Sequence, residues 1–381
     1  MQPIKVAFRV DASLQMGTGH VMRCLTLADA LTFQGSECQF ICREHPGNLI
    51  EHIRSKGFQV HVLPLSDSLE ANLIAVNVPT TELQLAHATW LGSTQEKDAA
   101  ECTAILSELI PDWLIVDHYA LDARWETALK PHYRKLMVID DLADRTHQCN
   151  LLLDQTFGRD AEDYAPWLPD ACTLLCGSQY SLLRPEFAAL RAYSLERRKK
   201  PQLKHLLITM GGVDQLNATG QLLQALKSTE LPANCQITVV MGTTAPWLAE
   251  VRQLAEQMPW PTTVRVGISD MAQLMADSDL AIGAAGATSW ERCCLGLPTA
   301  LVVLADNQKM AAEILDKAQA VITLSLGKDL IAELAQIIGV LRHDKHRMKN
   351  ITEHAKNITD GTGCQFVAST LNKLNIEKWS R

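Results

Sequence analysis

The chain carries no excess of positive charge, no apolar run long enough to span a bilayer and no Cys-x-x-Cys pair. With 35 Lys and Arg against 43 Asp and Glu, the formal net charge is -8, which argues against a general nucleic-acid binder. Its densest basic run, Arg197-Arg198-Lys199-Lys200, reads as a solvated linker. A membrane helix needs about 20 apolar residues in succession. The longest apolar run here, around Leu295 to Ala305, is broken by Gly296 and Pro298, so no membrane insertion is expected. The opening Met1-Gln2-Pro3-Ile4-Lys5 lacks the charged-then-apolar pattern of a signal peptide, and a cytoplasmic location is expected. None of the 11 cysteines falls in a Cys-x-x-Cys pair, which excludes a disulfide framework and a zinc knuckle. Most should be reduced, buried, small apolar residues.

What is present is a chain of 381 residues, 47% apolar and 20% charged: a globular protein with room for two domains. Strand-like and helical runs alternate, the signature of parallel sheets covered by helices. The first series is Ile4 to Val10, Cys38 to Cys42, Gln59 to Val62, Trp113 to Asp117, Lys135 to Ile139, Asn150 to Leu153 and Thr173 to Cys176, with a crossover helix over Val21 to Phe33. A second begins at His205 to Met210 and continues with Gln236 to Met241, Thr263 to Val266, Leu280 to Ile282 and Thr299 to Leu304. Leu65 to Lys97 has weak periodicity and reads as loop and short helix. The charged segment ending at Pro201 reads as a hinge, dividing the chain into residues 1–200 and 201–381. The tail from Lys328 to Trp379 reads as helices capping the second domain and reaching back to the first. The expected architecture is α/β, two Rossmann-like doubly wound domains facing across a cleft.

Four loops at strand ends draw attention. Gly17-Thr18-Gly19-His20 follows the first strand and opens a helix, where glycines admit a ligand close to the backbone and helix N–H groups favour negative charge. The dinucleotide fingerprint needs a further glycine where Met22 stands, so a nicotinamide enzyme is disfavoured. By itself the loop also fits a simple tight turn. A positive helix terminus would keep the His20 ring neutral and able to accept a proton. In the second half, Met210-Gly211-Gly212-Val213-Asp214 and Gly283-Ala284-Ala285-Gly286-Ala287-Thr288-Ser289 have the ingredients of a diphosphate cradle. Glu291 could hold ribose hydroxyls or merely complement the helix dipole. The amides of Asp306-Asn307-Gln308 could bond sugar hydroxyls or cap the next helix. Asp140-Asp141 lacks a histidine at ligand spacing, so no metal is expected, and Asp117-His118-Tyr119 reads either as site lining or as a satisfied loop cluster.

Eight blocks in order resemble the UDP-2,4-diacetamido-2,4,6-trideoxy-β-L-altropyranose hydrolases of pseudaminic acid biosynthesis. They are Phe8-Arg9-Val10-Asp11; Gly17-Thr18-Gly19-His20 with Arg23; Asp117-His118-Tyr119; Ile139 to Arg145; Cys149 to Asp154; Cys176 to Phe187; Met210 to Asp214; and Asp306-Asn307-Gln308. The resemblance implies a GT-B-like fold related to inverting glycosyltransferases, with UDP held mainly by the C-terminal half. It implies that His20 is the general base and that Tyr119 and Asn307 lie near the sugar and water. Asp11, Gly17, Gly19, Arg23, Gly211, Gly212, Ile268, Gly286, Ser289, Glu291 and Gln308 complete the expected substrate contacts. No role transfers to Trp290, which stands where relatives can carry asparagine. The implied reaction is metal-independent, cofactor-free hydrolysis of a UDP-sugar. The alternatives are an inverting glycosyltransferase using a UDP-sugar donor and a non-catalytic nucleotide-sugar binding module; nothing in the sequence names a protein partner.

Overall fold

Strands buried on both faces read as unbroken apolar runs, as Leu114–Val116, Leu136–Ile139 and Leu151–Leu153 do in the first half of the chain. The computed structural model describes residues 3–65, 85–243 and 245–376. Its first sheet comprises β1 (Lys5–Val10), β2 (Glu37–Arg43), β3 (Gln59–Leu63), β4 (Trp113–Asp117), β5 (Lys135–Ile139), β6 (Leu151–Asp154) and β7 (Thr173–Cys176). The order is β3-β2-β1-β4-β5-β6-β7, and every pairing is parallel. The strand order therefore reverses between β1 and β4, the place where open α/β sheets bind ligands beyond their carboxyl ends.

Strand alternation decides what each residue meets. Val6, Phe8 and Val10 of β1, with Trp113 and Ile115 of β4, join one core face, covered by the helix Gly19–Phe33 through Cys24, Leu27 and Leu31. Ala7, Leu114 and Val116 point the other way, against Ala99, Cys102 and Leu106 of the helix Gln95–Leu109 and Trp125 of the helix Ala123–Leu129. Arg9 shares that second face and is fully buried, held by Asp98 at 2.6 Å and Asp11 at 2.7 Å. Thr94 caps the helix Gln95–Leu109 by accepting from the Lys97 N–H.

The second sheet comprises β8 (His205–Thr209), β9 (Gln236–Met241), β10 (Thr262–Val266), β11 (Leu280–Ala284), β12 (Thr299–Val302) and β13 (Ile322–Leu324). Its order is β10-β9-β8-β11-β12-β13, again with parallel pairings and a reversal, here between β8 and β11. β13 was not anticipated. It is three residues on an edge, with Ile322 and Thr323 incompletely buried, too short to show a period.

The compact units are Met1–Leu182 with Cys364–Arg381, and Leu183–Gly363, so the division differs from the one expected near residue 200. The supposed linker instead ends the helix Pro185–Arg198. Arg198 is 5% exposed and donates to the Met275, Ser278 and Leu295 carbonyls, while Arg197 pairs with Asp279 at 2.6 Å. Burial pulls the Arg198 guanidinium down to about 9, with Arg197 adding to the effect. The tail is helical over Leu330–His343, Lys345–Ala355 and Gly363–Ile376. The last of these helices belongs to the first unit, where Val367, Ala368 and Leu371 enter the core beside the helix Gly19–Phe33. Of the ambiguous stretch Leu65 to Lys97, residues 66–84 lie outside the described residues; its remainder holds a short 3₁₀ turn, Ala88–Leu91, and the start of the helix Gln95–Leu109. Among the described residues no helix is long and apolar enough to cross a membrane.

Candidate active site

His20 begins the helix after β1, and Asp117 is the last residue of β4, register partner of Val10. Alternation from Trp113 and Ile115 turns Asp117 toward the face that this helix covers. On the helix, Arg23 and Cys24 follow His20 by three and four residues and so share its inward stripe. The polar head of an otherwise apolar stripe thus meets the carboxylate that ends the neighbouring strand.

The contacts are short. His20 Nδ1 lies 2.6 Å from Asp117 Oδ1. Arg23 donates from Nε to Asp117 Oδ2 at 2.6 Å, from Nη2 to Oδ1 at 2.7 Å, and from Nη1 to Asp141 Oδ2 at 2.6 Å. The Tyr119 hydroxyl donates to the same Asp141 oxygen at 2.8 Å. Burial works against the charge of Asp117, yet Arg23 and His20 hold its carboxyl well below the usual carboxylate range. An ionised carboxylate can only accept, so Nδ1 carries the proton, and in the neutral tautomer Nε2 is left with the lone pair. The His20 side chain is 11% exposed, with Nδ1 on its inner side.

Two rings meet the imidazole, and a third packs on both of them. Tyr119 meets it edge-on at 4.7 Å, Trp90 at 6.5 Å, and Trp90 stacks on Tyr119 at 5.8 Å. His87 packs on Trp90 at 4.3 Å and on Tyr119 at 5.4 Å. Trp90 and His87 come from the stretch whose periodicity was uninformative. Their presence here had no local signal beyond their being aromatic.

Several of the expected contact residues have protein partners. Asp11 is 1% exposed; it accepts from the Arg43 N–H at 2.6 Å and faces His118 at 3.3 Å and His45 at 3.7 Å, so it braces the sheet end from within. Arg23 is 6% exposed and spends Nε and one N–H of each Nη on Asp117 and Asp141, so it orients the carboxylates. Tyr119 is 6% exposed with its hydroxyl committed to Asp141, and it supports the imidazole from behind. Asp140 and Asp141 do not act as a pair: Asp140 turns inward to Arg145 and Tyr164, and only Asp141 joins the His20 group. Among the described residues no cluster of three or more His, Cys, Asp or Glu is arranged to hold a metal ion.

Gly17 and Gly19 suit an approachable loop. Gly17 closes a tight turn by donating to the Ser13 carbonyl at 2.9 Å, with φ at +77°, where a side chain would be strained. Open space surrounds the position of a Cβ at either glycine, and Thr18 places no side chain over the first N–H groups of the helix.

In the second unit the loops after β8 and β11 emerge side by side at the strand reversal. Gly211 is exposed, Gly212 is half-buried, and the space around Gly211 and Gly286 is open. Arg292 fastens the second loop, donating to the Ala284 carbonyl at 2.7 Å, to Ser289 Oγ at 3.1 Å and to Thr288 Oγ1 at 3.1 Å. Ser289 is 3% exposed, its Oγ accepts from Arg292 and its N–H donates to the Gly286 carbonyl. Among the described residues the N–H groups of Gly286, Ala287 and Thr288 have no acceptor. Burial pushes the Glu291 carboxyl up, opposed by Arg184 at 3.8 Å. Ile268 is half-buried just beyond β10, and Asn307 is exposed in the turn Asp306–Gln308. Gln308 closes that turn, accepting from the Leu304 N–H at 2.9 Å.

Comparison with known proteins agrees with the blocks read from the sequence. Residues 205–362 match the glycosyltransferase family 28 C-terminal domain. The chain is 27% identical to the uncharacterized protein MJ1062 of Methanocaldococcus jannaschii over 80% of its length, and spans 56% of that longer protein. It is 26% identical to the UDP-2,4-diacetamido-2,4,6-trideoxy-β-L-altropyranose hydrolase of Campylobacter jejuni, over 82% of this chain and 97% of that one. The crystal structure of Acinetobacter baumannii MurG superposes with a TM-score of 0.67 at 17% identity, covering 97% of this chain and 100% of the other, which establishes the fold. The chain is thus a GT-B-like protein of two Rossmann-like domains, related in sequence to the UDP-2,4-diacetamido-2,4,6-trideoxy-β-L-altropyranose hydrolases.

Proposed function

We propose that the protein hydrolyses the glycosidic C–O bond of UDP-2,4-diacetamido-2,4,6-trideoxy-β-L-altropyranose, releasing UDP and 2,4-diacetamido-2,4,6-trideoxy-L-altropyranose. The observation that carries this reading is the 2.6 Å contact of His20 Nδ1 with Asp117, which orients Nε2 as the basic nitrogen. A water gives its proton to Nε2 as its oxygen bonds to the anomeric carbon; the bond from that carbon to the diphosphate oxygen breaks on the opposite face, and the configuration inverts. Ordinary glycosidases add a carboxylic acid to protonate a poor leaving group. A nucleoside diphosphate leaves as a stabilised anion, so one base is sufficient and no metal is required. The open glycines and unpaired N–H groups of the second unit suit the diphosphate, with Glu291 on the ribose and Asn307 near the sugar.

His20→Ala should fold and bind UDP while losing orders of magnitude in turnover. In oxygen-18 water the label should enter the sugar. Label in UDP would mean attack at phosphorus, and full activity in the variant would remove His20 from the mechanism. The glycosyltransferase family 28 match favours a second reading, in which the same base deprotonates an acceptor hydroxyl. UDP release by the purified protein without an acceptor separates the two.

A further inference from the structure

The site contains a surface that neither the base nor the diphosphate loops explain. Trp90 sits half-buried in the turn Ala88–Leu91, and much of the turn's sequence serves to hold it there. Leu91 is 1% exposed and anchors the turn in the core. Gly92 follows with φ at +65°, and a Cβ there would come within 2.7 Å of the buried His45 ring, so the chain can turn at this point only with glycine. One residue outside that anchor, the indole is stacked on Tyr119, lies tilted against His87 and stands edge-on beside the His20 imidazole. Burial lowers the His87 imidazole below its usual value, with Asp144 opposing, which suits an uncharged surface.

A large ring kept partly in solvent costs hydrophobic burial, and next to a base it offers a ligand an apolar face. Pyranose rings carry C–H groups on one face, and acetamido and C6 methyl groups extend that apolar area well beyond what a fully hydroxylated hexose presents. The geometry points to Trp90, backed by His87, as an apolar subsite beside His20 that takes the C–H face and methyl groups of an acylamino 6-deoxyhexose. This rests on the reading of His20 as a base acting on a nucleotide sugar, and it makes Trp90 the residue that selects deoxygenated, N-acylated sugars over hydroxylated ones.

The test compares UDP-2,4-diacetamido-2,4,6-trideoxy-β-L-altropyranose with UDP-N-acetylglucosamine on the full chain carrying Trp90→Ala or Trp90→Phe. Trp90→Ala should lower kcat/KM for the diacetamido sugar at least about tenfold, mostly through KM, and change the hydroxylated sugar less than about threefold. Trp90→Phe should recover most of the loss, and UDP affinity should stay within about twofold in both. Unchanged selectivity in folded Trp90→Ala overturns the proposal while leaving the role of His20 intact. Should that variant fail to fold, tryptophan emission decides. The diacetamido substrate should quench emission in His20→Ala and not in the His20→Ala, Trp90→Phe double variant; equal quenching in both overturns the subsite. Full turnover in His20→Ala alone would instead sink the base.

Discussion

Asp117→Asn probes the His20 group most sharply, because it keeps the shape of the side chain and removes one acceptor. Both carboxylate oxygens accept from Arg23, at 2.6 and 2.7 Å, and one of them also faces His20 Nδ1 at 2.6 Å. An amide has a single oxygen, so whichever way it turns, its NH₂ meets an Arg23 donor. If the NH₂ takes the Oδ1 side, it also drives the proton of His20 from Nδ1 to Nε2, the wrong tautomer for a base. By analogy with other carboxylate-to-amide changes behind a catalytic histidine, turnover should fall roughly a thousandfold or more, about 4 kcal/mol in barrier height. Breaking a buried ion pair should also cost about 3 kcal/mol of stability. The sign with pH follows from the direction of the shift. A carboxyl held below its ordinary 3.8 in the folded protein contributes stability that is present above that value and lost as pH falls through the lower folded one. The part of the stability gap between the parent and Asp117→Asn that comes from this carboxyl should therefore close as pH falls into strong acid. Denaturant titrations across pH, with UDP release at neutral pH, measure both quantities. A variant with parental stability and turnover would refute the coupling of Asp117 to His20.

Three other outcomes are expected. Tyr119→Phe removes only the hydroxyl that donates to Asp141, so it should cost about 1 kcal/mol in a melt and leave turnover within about tenfold; a hundredfold loss would mean that the hydroxyl works on substrate. Gly92→Ala places a β-carbon at φ +65° and against His45, and should destabilise by at least about 1–2 kcal/mol in the same assay; a neutral result would contradict the requirement for glycine. Burial raises the Glu291 carboxyl above its ordinary 4.5, and the ionised form is the stronger acceptor for the ribose hydroxyls proposed to lie there. UDP affinity should therefore strengthen as pH rises through that raised value, and Glu291→Gln should flatten the profile in calorimetric titrations. An unchanged profile would remove Glu291 from the ribose.

Local pattern carried much of the fold. Twelve of the strands were legible, most of them because a strand covered on both faces must be largely apolar along its length, and the glycine loops were legible because tight turns and close approach need glycine. β13, three residues on an edge, had no room to show a pattern. The basic run near Arg198 read as solvated, since composition does not reveal that three carbonyls wait at helix and loop ends to receive its guanidinium.

The sequence by itself determined that His20 would head a helix behind a strand, where a ligand can approach. It did not determine what would hold the ring. The carboxylate partner lies 97 residues away and reaches His20 because β1 and β4 are neighbours at the reversal of strand order and because strand alternation turns Asp117 toward the helix. The same packing gave Asp11, Arg23 and Tyr119 protein partners, set Trp90 edge-on to the imidazole and laid His87 against Trp90 and Tyr119. Periodicity describes one element at a time, whereas a site at the end of a parallel sheet is assembled from loops that only strand order makes adjacent.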